Sequence, residues 1–193
     1  EGAGGRELRI PTIRARRSRA QAPAAAAPPA QQESASPLIS CITVSSGKPA
    51  ALRRAIADFR RQTWENAELL IVTSAAAAPL ALLRAEQDDP RLRWIFSATT
   101  DDLLAQALAA ARGEYVALWN DDDLHDPSRL QWQMKALLQT GTTACLLERC
   151  VRWQPAQRRL SVSGRRAQPT SLICATAALP PTAGAATVDG LAA

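Results

Sequence analysis

Residues 120–123 read Asn-Asp-Asp-Asp and follow directly on an apolar run, YVALW (115–119). Three adjacent like charges repel one another, and a loop seldom has use for them. A divalent cation removes that repulsion. One or two turn carboxylates can hold Mg²⁺ or Mn²⁺ and leave the other positions to water and phosphate oxygens. A cation held this way neutralises a departing diphosphate. The alternative reading of Asp121, Asp122 and Asp123 is a solvated acidic turn that favours the dipole of the helix after it.

The other chemistry-bearing residues are read more plainly. Asp126 and Pro127 are expected as the cap and first residue of a helix. His125 adjoins the acidic turn and is expected as a lone exposed loop histidine rather than a metal ligand. Cys41, Cys145, Cys150 and Cys174 form no CxxC pair and have no histidine cluster, so zinc is not expected. Cys41 and Cys174 sit in apolar runs as reduced core thiols, which fits a cytoplasmic compartment. Trp94 and Trp119 are expected in the core, whereas Trp132 and Trp153 are open to a ligand role. Arg165 and Arg166 are expected in a solvated loop.

Positioning these residues requires a scaffold, and the apolar pattern supplies one. LISCITV (38–44), AELLIVT (67–73), LRWIFS (92–97) and YVALW (115–119) read as strands. Between them run helices: one opened by Pro49 with Leu52, Ile56 and Phe59 on its stripe, PLALLRAEQ (79–87), and one with Leu104, Ala107, Leu108 and Ala111 that Gly113 ends. A fourth carries Leu130, Met134, Leu137 and Leu138. TTACLLERCVRW (142–153) and RRLSVSG (158–164) read as a pair of strands. Strands alternating with helices imply an α/β fold with a mainly parallel sheet and helices on both faces. Ligands bind such sheets at the carboxyl ends of the strands, where Ser45–Ser46 and Asp121–Asp123 fall.

Composition sets the limits. The 193 residues are 47% hydrophobic and 21% charged, enough for one domain with a core. Residues 1–36, rich in Arg, Ala and Pro, are expected to be a disordered arm or linker, and residues 37–193 the folded domain. The net charge is +5, but the arginines are scattered, so a nucleic-acid partner is not expected. No apolar segment is long enough for a transmembrane span, and the N-terminus does not read as a signal peptide.

Three blocks of the chain, PLISCITVSSGKPAALRRAIADFRRQTWENAELLIV, ARGEYVALWNDDDLHDPSRLQWQ and PTSLICATAALP, resemble family 2 glycosyltransferases over 37–186. The resemblance implies a GT-A fold that transfers a sugar from a nucleotide-diphosphate donor to an acceptor, here a saccharide, lipid or protein. It makes Asp122 the last aspartate of a DxD-type motif and the main metal ligand. Asn120 stands at the motif's first aspartate, Asp121 in its variable position, and Asp123 directly after it as a further ligand. Ser45, Ser46 and Thr73 fall where the family contacts the nucleotide. Thr73 and Ser74 replace a base-reading aspartate, and Leu104 and Ala105 replace an Arg-Asn pair. The family's acidic base positions fall on Ala185 and Ala186, with Asp189 close by. An inactive glycosyltransferase-like binding or scaffold domain is therefore the alternative. The family continues with helical structure past the base, which leaves open a domain incomplete at Ala193.

Overall fold

A computed structural model describes residues 13–15, 36–45, 47–74, 77–98 and 103–179. Among these residues, nine strands and four α-helices follow in the order β1 (Ile13–Ala15), β2 (Ile39–Val44), α1 (Pro49–Arg60), β3 (Ala67–Ser74), α2 (Leu80–Glu86), β4 (Leu92–Ser97) and α3 (Leu103–Ala110). Then come β5 (Tyr115–Leu118), α4 (Arg129–Thr140), β6 (Ala144–Leu147), β7 (Val151–Gln154), β8 (Arg159–Val162) and β9 (Gln168–Ala175). Seven of the strands form one sheet in the order β1-β6-β9-β5-β2-β3-β4, and β7 and β8 pair separately.

The central strands β5, β2, β3 and β4 are mutually parallel. Alternation along β2 and β3 explains why both faces are covered. Ile39, Cys41, Leu69 and Ile71 face one way, into a core with Leu52, Ile56 and Phe59 of α1 and Leu130, Met134 and Leu137 of α4. Ile42, Leu70 and Val72 face the other way, against Ala107 of α3. Pro49 opens α1 as expected. At the far end of α4, Gly141 takes the left-handed conformation (φ 61°) that ends a helix at little cost, and its N–H donates to the Leu137 carbonyl at 2.9 Å.

Three expectations are corrected. The stretch 142–153 is not one strand. It leaves the main sheet after Leu147, where the charged pair Glu148 and Arg149 interrupts the apolar run, the pairing with β9 shifts register, and the Leu147 N–H donates to Ser171 Oγ at 2.8 Å. The second half becomes β7 and turns back on β8. The fourth helix starts at Arg129, not Pro127. The Asp126 carboxylate accepts from the Ser128 N–H at 2.8 Å and from its hydroxyl at 2.5 Å, and this local Asx turn holds the chain out of the helix. The third helix stops at Ala110, short of Gly113. Ile13–Ala15, within the segment read as an arm, pair antiparallel with β6 at one end of the sheet order among the described residues. The rest of that arm lies outside the described residues.

Candidate functional site

The carboxyl ends of β2 and β5 lie side by side because the two strands pair in parallel register, Ile39 with Tyr115 through Ile42 with Leu118. Beyond the ladder the pairing continues in two further bonds. The Trp119 N–H donates to the Ile42 carbonyl at 2.8 Å, and the buried Thr43 hydroxyl donates to the Trp119 carbonyl at 2.6 Å. These bonds launch the acidic turn from a fixed point. Across from it, the loop after β2 bends at Gly47 (φ 75°), whose N–H donates to Ser45 Oγ at 3.2 Å. The bend brings Lys48 to the turn, with its Nζ 3.5 Å from Asp122 Oδ1. The two side chains are 65% and 54% exposed, so this pair sits open to a ligand and adds little stability.

The acidic residues are not equivalent. Asp121 is 1% exposed and already engaged within the fold, and its carbonyl accepts from Arg54 Nη2 at 3.2 Å. Asp123 is half-buried and accepts from Asn120 Nδ2 at 3.4 Å. Asp122 alone of the three is exposed. Among the described residues, no three His, Cys, Asp or Glu side chains gather closely enough to hold a metal by themselves. One or two hard carboxylate oxygens at Asp122 and Asp123 nonetheless suit Mg²⁺ or Mn²⁺ whose remaining ligands are phosphate and water.

Thr73 reaches the same edge of the sheet one strand further on, but its side chain is fully buried and its hydroxyl donates to the Ser74 carbonyl at 3.3 Å. The structure therefore brings Ser45, Asn120, Asp122 and Asp123 to one edge, and it buries Asp121 and Thr73 beneath that edge. Ser46, Ala185, Ala186 and Asp189 lie outside the described residues.

His125 is not the exposed loop histidine expected from the sequence. It is buried, with its ring stacked on Trp119 at a centroid separation of 3.9 Å. Arg129 Nη1 donates to its Nδ1 at 2.8 Å. An arginine cannot accept, so the ring proton sits on Nε2, which donates to the Asn120 carbonyl at 3.0 Å. Burial and the Arg129 charge pull the imidazole down to about 3, so it is neutral at physiological pH. The His125 N–H in turn donates to the buried Asp58 carboxylate at 2.9 Å.

Arg129 is one residue that the sequence reading missed. It is buried, donates to the Leu118 carbonyl at 2.9 Å and to Gln133 Oε1 at 3.0 Å, and lies over the Trp119 ring at 5.2 Å. Burial lowers its pKa to about 10, still cationic at neutral pH, and the nearby Asp123 acts in the opposite direction. Through Leu118, His125 and Asn120 it clamps both sides of the acidic turn. Its signal was available: Arg129 and Gln133 fall on the same helical stripe as Leu130, Met134 and Leu137. Lys48 and Arg54 were also missed, and they become recognisable only once β2 and β5 are placed together.

A separate depression of about 350 Å³, lined by Ser36, Thr63, Trp64, Asn66 and Gln131, opens at the amino ends of the strands, away from this site.

Comparison with known proteins agrees with the geometry. A curated protein of Sinorhizobium fredii, the uncharacterized protein y4gI, is 34% identical over 101 residues, covering 49% of this chain and 11% of that protein. A mannosyltransferase from Pyrobaculum calidifontis, solved with GDP-Man and Mn²⁺, matches with a TM-score of 0.50 and 21% identity, over 60% of this chain and 36% of that one. S. aureus TarS 1–349 matches with a TM-score of 0.51 and 15% identity, over 55% of this chain and 34% of that one. The chain thus spans a minor part of each. At these identities the two structures speak for the fold, a mainly parallel GT-A sheet with flanking helices. The family model for glycosyl transferase family 2 matches residues 40–161, from β2 through the acidic turn into β8. The chain belongs to glycosyl transferase family 2.

Proposed function

We propose that this chain is a glycosyltransferase domain that binds a nucleotide-diphosphate sugar between the loop after β2 and the acidic turn after β5, and transfers the sugar to an acceptor. The observation that carries the reading is the approach of Lys48 to Asp122 across the carboxyl edge of the parallel sheet, in a chain of this family. The acceptor is a saccharide, a lipid or a protein.

Each residue then has a role set by its position. Ser45 and Asn120 border the nucleotide and diphosphate. Asp122, with Asp123 beside it, would hold a Mn²⁺ or Mg²⁺ ion, which when bound supplies positive charge to the diphosphate. The Lys48 ammonium adds a second positive charge at the same place. Asp121 acts from beneath, since its carbonyl is tied to Arg54. Buried Thr73 supports the loop where a base-reading group is expected, and Ser46 belongs with Ser45 as a nucleotide contact. In the transfer, the acceptor hydroxyl oxygen bonds to the anomeric carbon, the bond from that carbon to the diphosphate oxygen breaks, and the diphosphate leaves. The hydroxyl proton passes to a base, which contributes typically about 10²–10⁴-fold.

Two observations favour a second reading, a binding or scaffold domain without catalysis. Thr73 is fully buried where the family reads the base, and Leu104 stands where an arginine is expected.

Calorimetric titration of UDP and GDP, with and without Mn²⁺, tests the first reading. Binding is expected only with metal, and it is expected to weaken about tenfold or more in Asp122→Ala, the scale of one charge-assisted contact. Binding without transfer or donor hydrolysis would favour the second reading. No binding at millimolar nucleotide would remove the donor site altogether.

A further inference from the structure

Four large apolar side chains share one open face of the β7–β8 hairpin. Val151 pairs with Val162 and Trp153 with Leu160, and alternation along each strand puts all four on the same side. Each is more than half exposed. On the reverse face Arg152, Gln154 and Arg159 are exposed as well, so the hairpin stands off the body of the domain. Single exposed apolar residues are ordinary. Four contiguous ones mark a surface that is covered in use.

Within residues 149–166 the charged side chains have one sign. Arg149, Arg152, Arg158, Arg159, Arg165 and Arg166 fall within residues 149–166, and no aspartate or glutamate does. Glu148, just before the hairpin, pairs with Arg165 at 3.4 Å. The whole chain carries a net charge of +5, and residues 149–166 are one of two arginine-rich stretches, the other lying within residues 1–36.

We propose that the β7–β8 hairpin docks on an anionic membrane surface, with Val151, Trp153, Leu160 and Val162 seated at the boundary between headgroups and acyl chains. An anionic bilayer satisfies both halves of the surface at once. A nucleic acid would match the arginines and leave the three aliphatic side chains in water. An apolar protein face would cover the aliphatic residues and leave the arginines without counter-charge. Tryptophan suits the interface because its ring is apolar and its N–H is polar. Long arginine stems let guanidinium groups on the reverse face and at the turn reach lipid phosphates while the ribbon lies shallow. Among the described residues no helix is long and apolar enough to cross a membrane, and a contact of this kind is peripheral and reversible. The inference does not depend on the sugar-transfer reading.

Co-sedimentation of the full chain with vesicles tests it. The chain is expected to bind phosphatidylcholine vesicles that contain phosphatidylserine, to bind pure phosphatidylcholine weakly, and to be released by salt. Trp153→Ser with Leu160→Ser, and separately Arg158→Glu with Arg159→Glu, are each expected to weaken partitioning about tenfold. These residues are exposed, and an unchanged thermal midpoint shows that each variant is folded. Free phosphate at matched concentration is expected not to displace the chain, which separates a lipid surface from a simple anion site. Equal sedimentation of parent and variants, or none by the parent, would overturn the proposal. So would a dimer that the Trp153 and Leu160 changes dissolve, which would make a second copy the occupant. Binding of single-stranded RNA through the same arginines, with no vesicle binding, would overturn it as well.

Discussion

At the scale of single residues, His125 shows how a local environment sets a role. The type and its place beside the acidic turn were legible in the sequence, but its burial was not. Burial follows from Trp119 and Arg129, which approach it from a strand end and a helix. The consequence is a pH dependence with a definite sign. The folded imidazole titrates at about 3, below the ordinary 6.5. Between those values the unfolded chain binds a proton that the folded chain refuses, so stability is intact above pH 6.5 and falls as the pH drops towards 3. From pH 6.5 to 5 this one group costs at most about 2 kcal/mol, since each pH unit is about 1.4 kcal/mol per proton. Urea unfolding at pH 7 and at pH 5 measures it. The loss is expected to shrink in His125→Gln, which keeps a donor for the Asn120 carbonyl and has no proton to gain. An equal acid loss in both proteins would assign the effect to other groups.

At the scale of elements, strands were read more accurately than the joints between them. The four parallel strands were legible because continuous β-branched runs have few alternatives when both faces are buried. The break at Glu148 was not, because apolar residues resume immediately and the turn back onto β8 depends on a partner strand. The start of α4 was displaced for a similar reason: Asp126 has the chemistry of a cap and spends it on the turn before the helix. Buried polar partners are also invisible in a linear pattern. Glu68, the second residue of a largely apolar strand, accepts from Ser40 Oγ at 2.7 Å, the Arg112 N–H at 3.0 Å and Arg93 Nη1 at 2.9 Å. Burial raises its pKa, and these hydrogen bonds more than offset that, leaving it below the usual carboxylate value. Gly113 belongs to the same joint. A Cβ there would lie 2.6 Å from the Ser40 nitrogen and 2.7 Å from the Leu38 carbonyl oxygen, both backbone atoms that cannot swing aside. Gly113→Ala is expected to cost about 1–3 kcal/mol through overpacking between β2 and β5. Gly164→Ala meets nothing within 4 Å and is expected to leave the urea midpoint nearly unchanged. Similar midpoints for the two variants would mean that the strands separate easily at this joint.

At the scale of the whole molecule, the core thiols report on the integrity of the sheet. Cys41, Cys145 and Cys174 are buried, and Cys150 is half-buried. Burial pushes the Cys41 thiol up to about 12 and the Cys174 thiol up to about 11, so neither has appreciable thiolate at neutral pH. Titration with a thiol reagent is expected to label Cys150 alone in the folded chain and all four after denaturation. Rapid labelling of Cys41 in the folded chain would mean that the centre of the sheet opens. The sequence reading placed Cys41 and Cys174 in the core correctly, and it placed the acidic turn at the right edge. It could not show which carboxylates face outward, because that depends on Arg54 and Arg129 reaching in from other elements. The strand order has one further consequence, for synthesis of the chain. β2 sits between β3 and β5, and the hydroxyl of Thr43 meets its Trp119 partner only 76 residues later. As the chain leaves the ribosome, β2 pairs with β3 early, while its other edge stays bare until β5 emerges. That interval exposes an apolar edge in the nascent chain. The carboxyl edge that carries the acidic turn is therefore completed in one late step, the insertion of β5, and a nascent chain stalled before that point has half a sheet and no acidic turn.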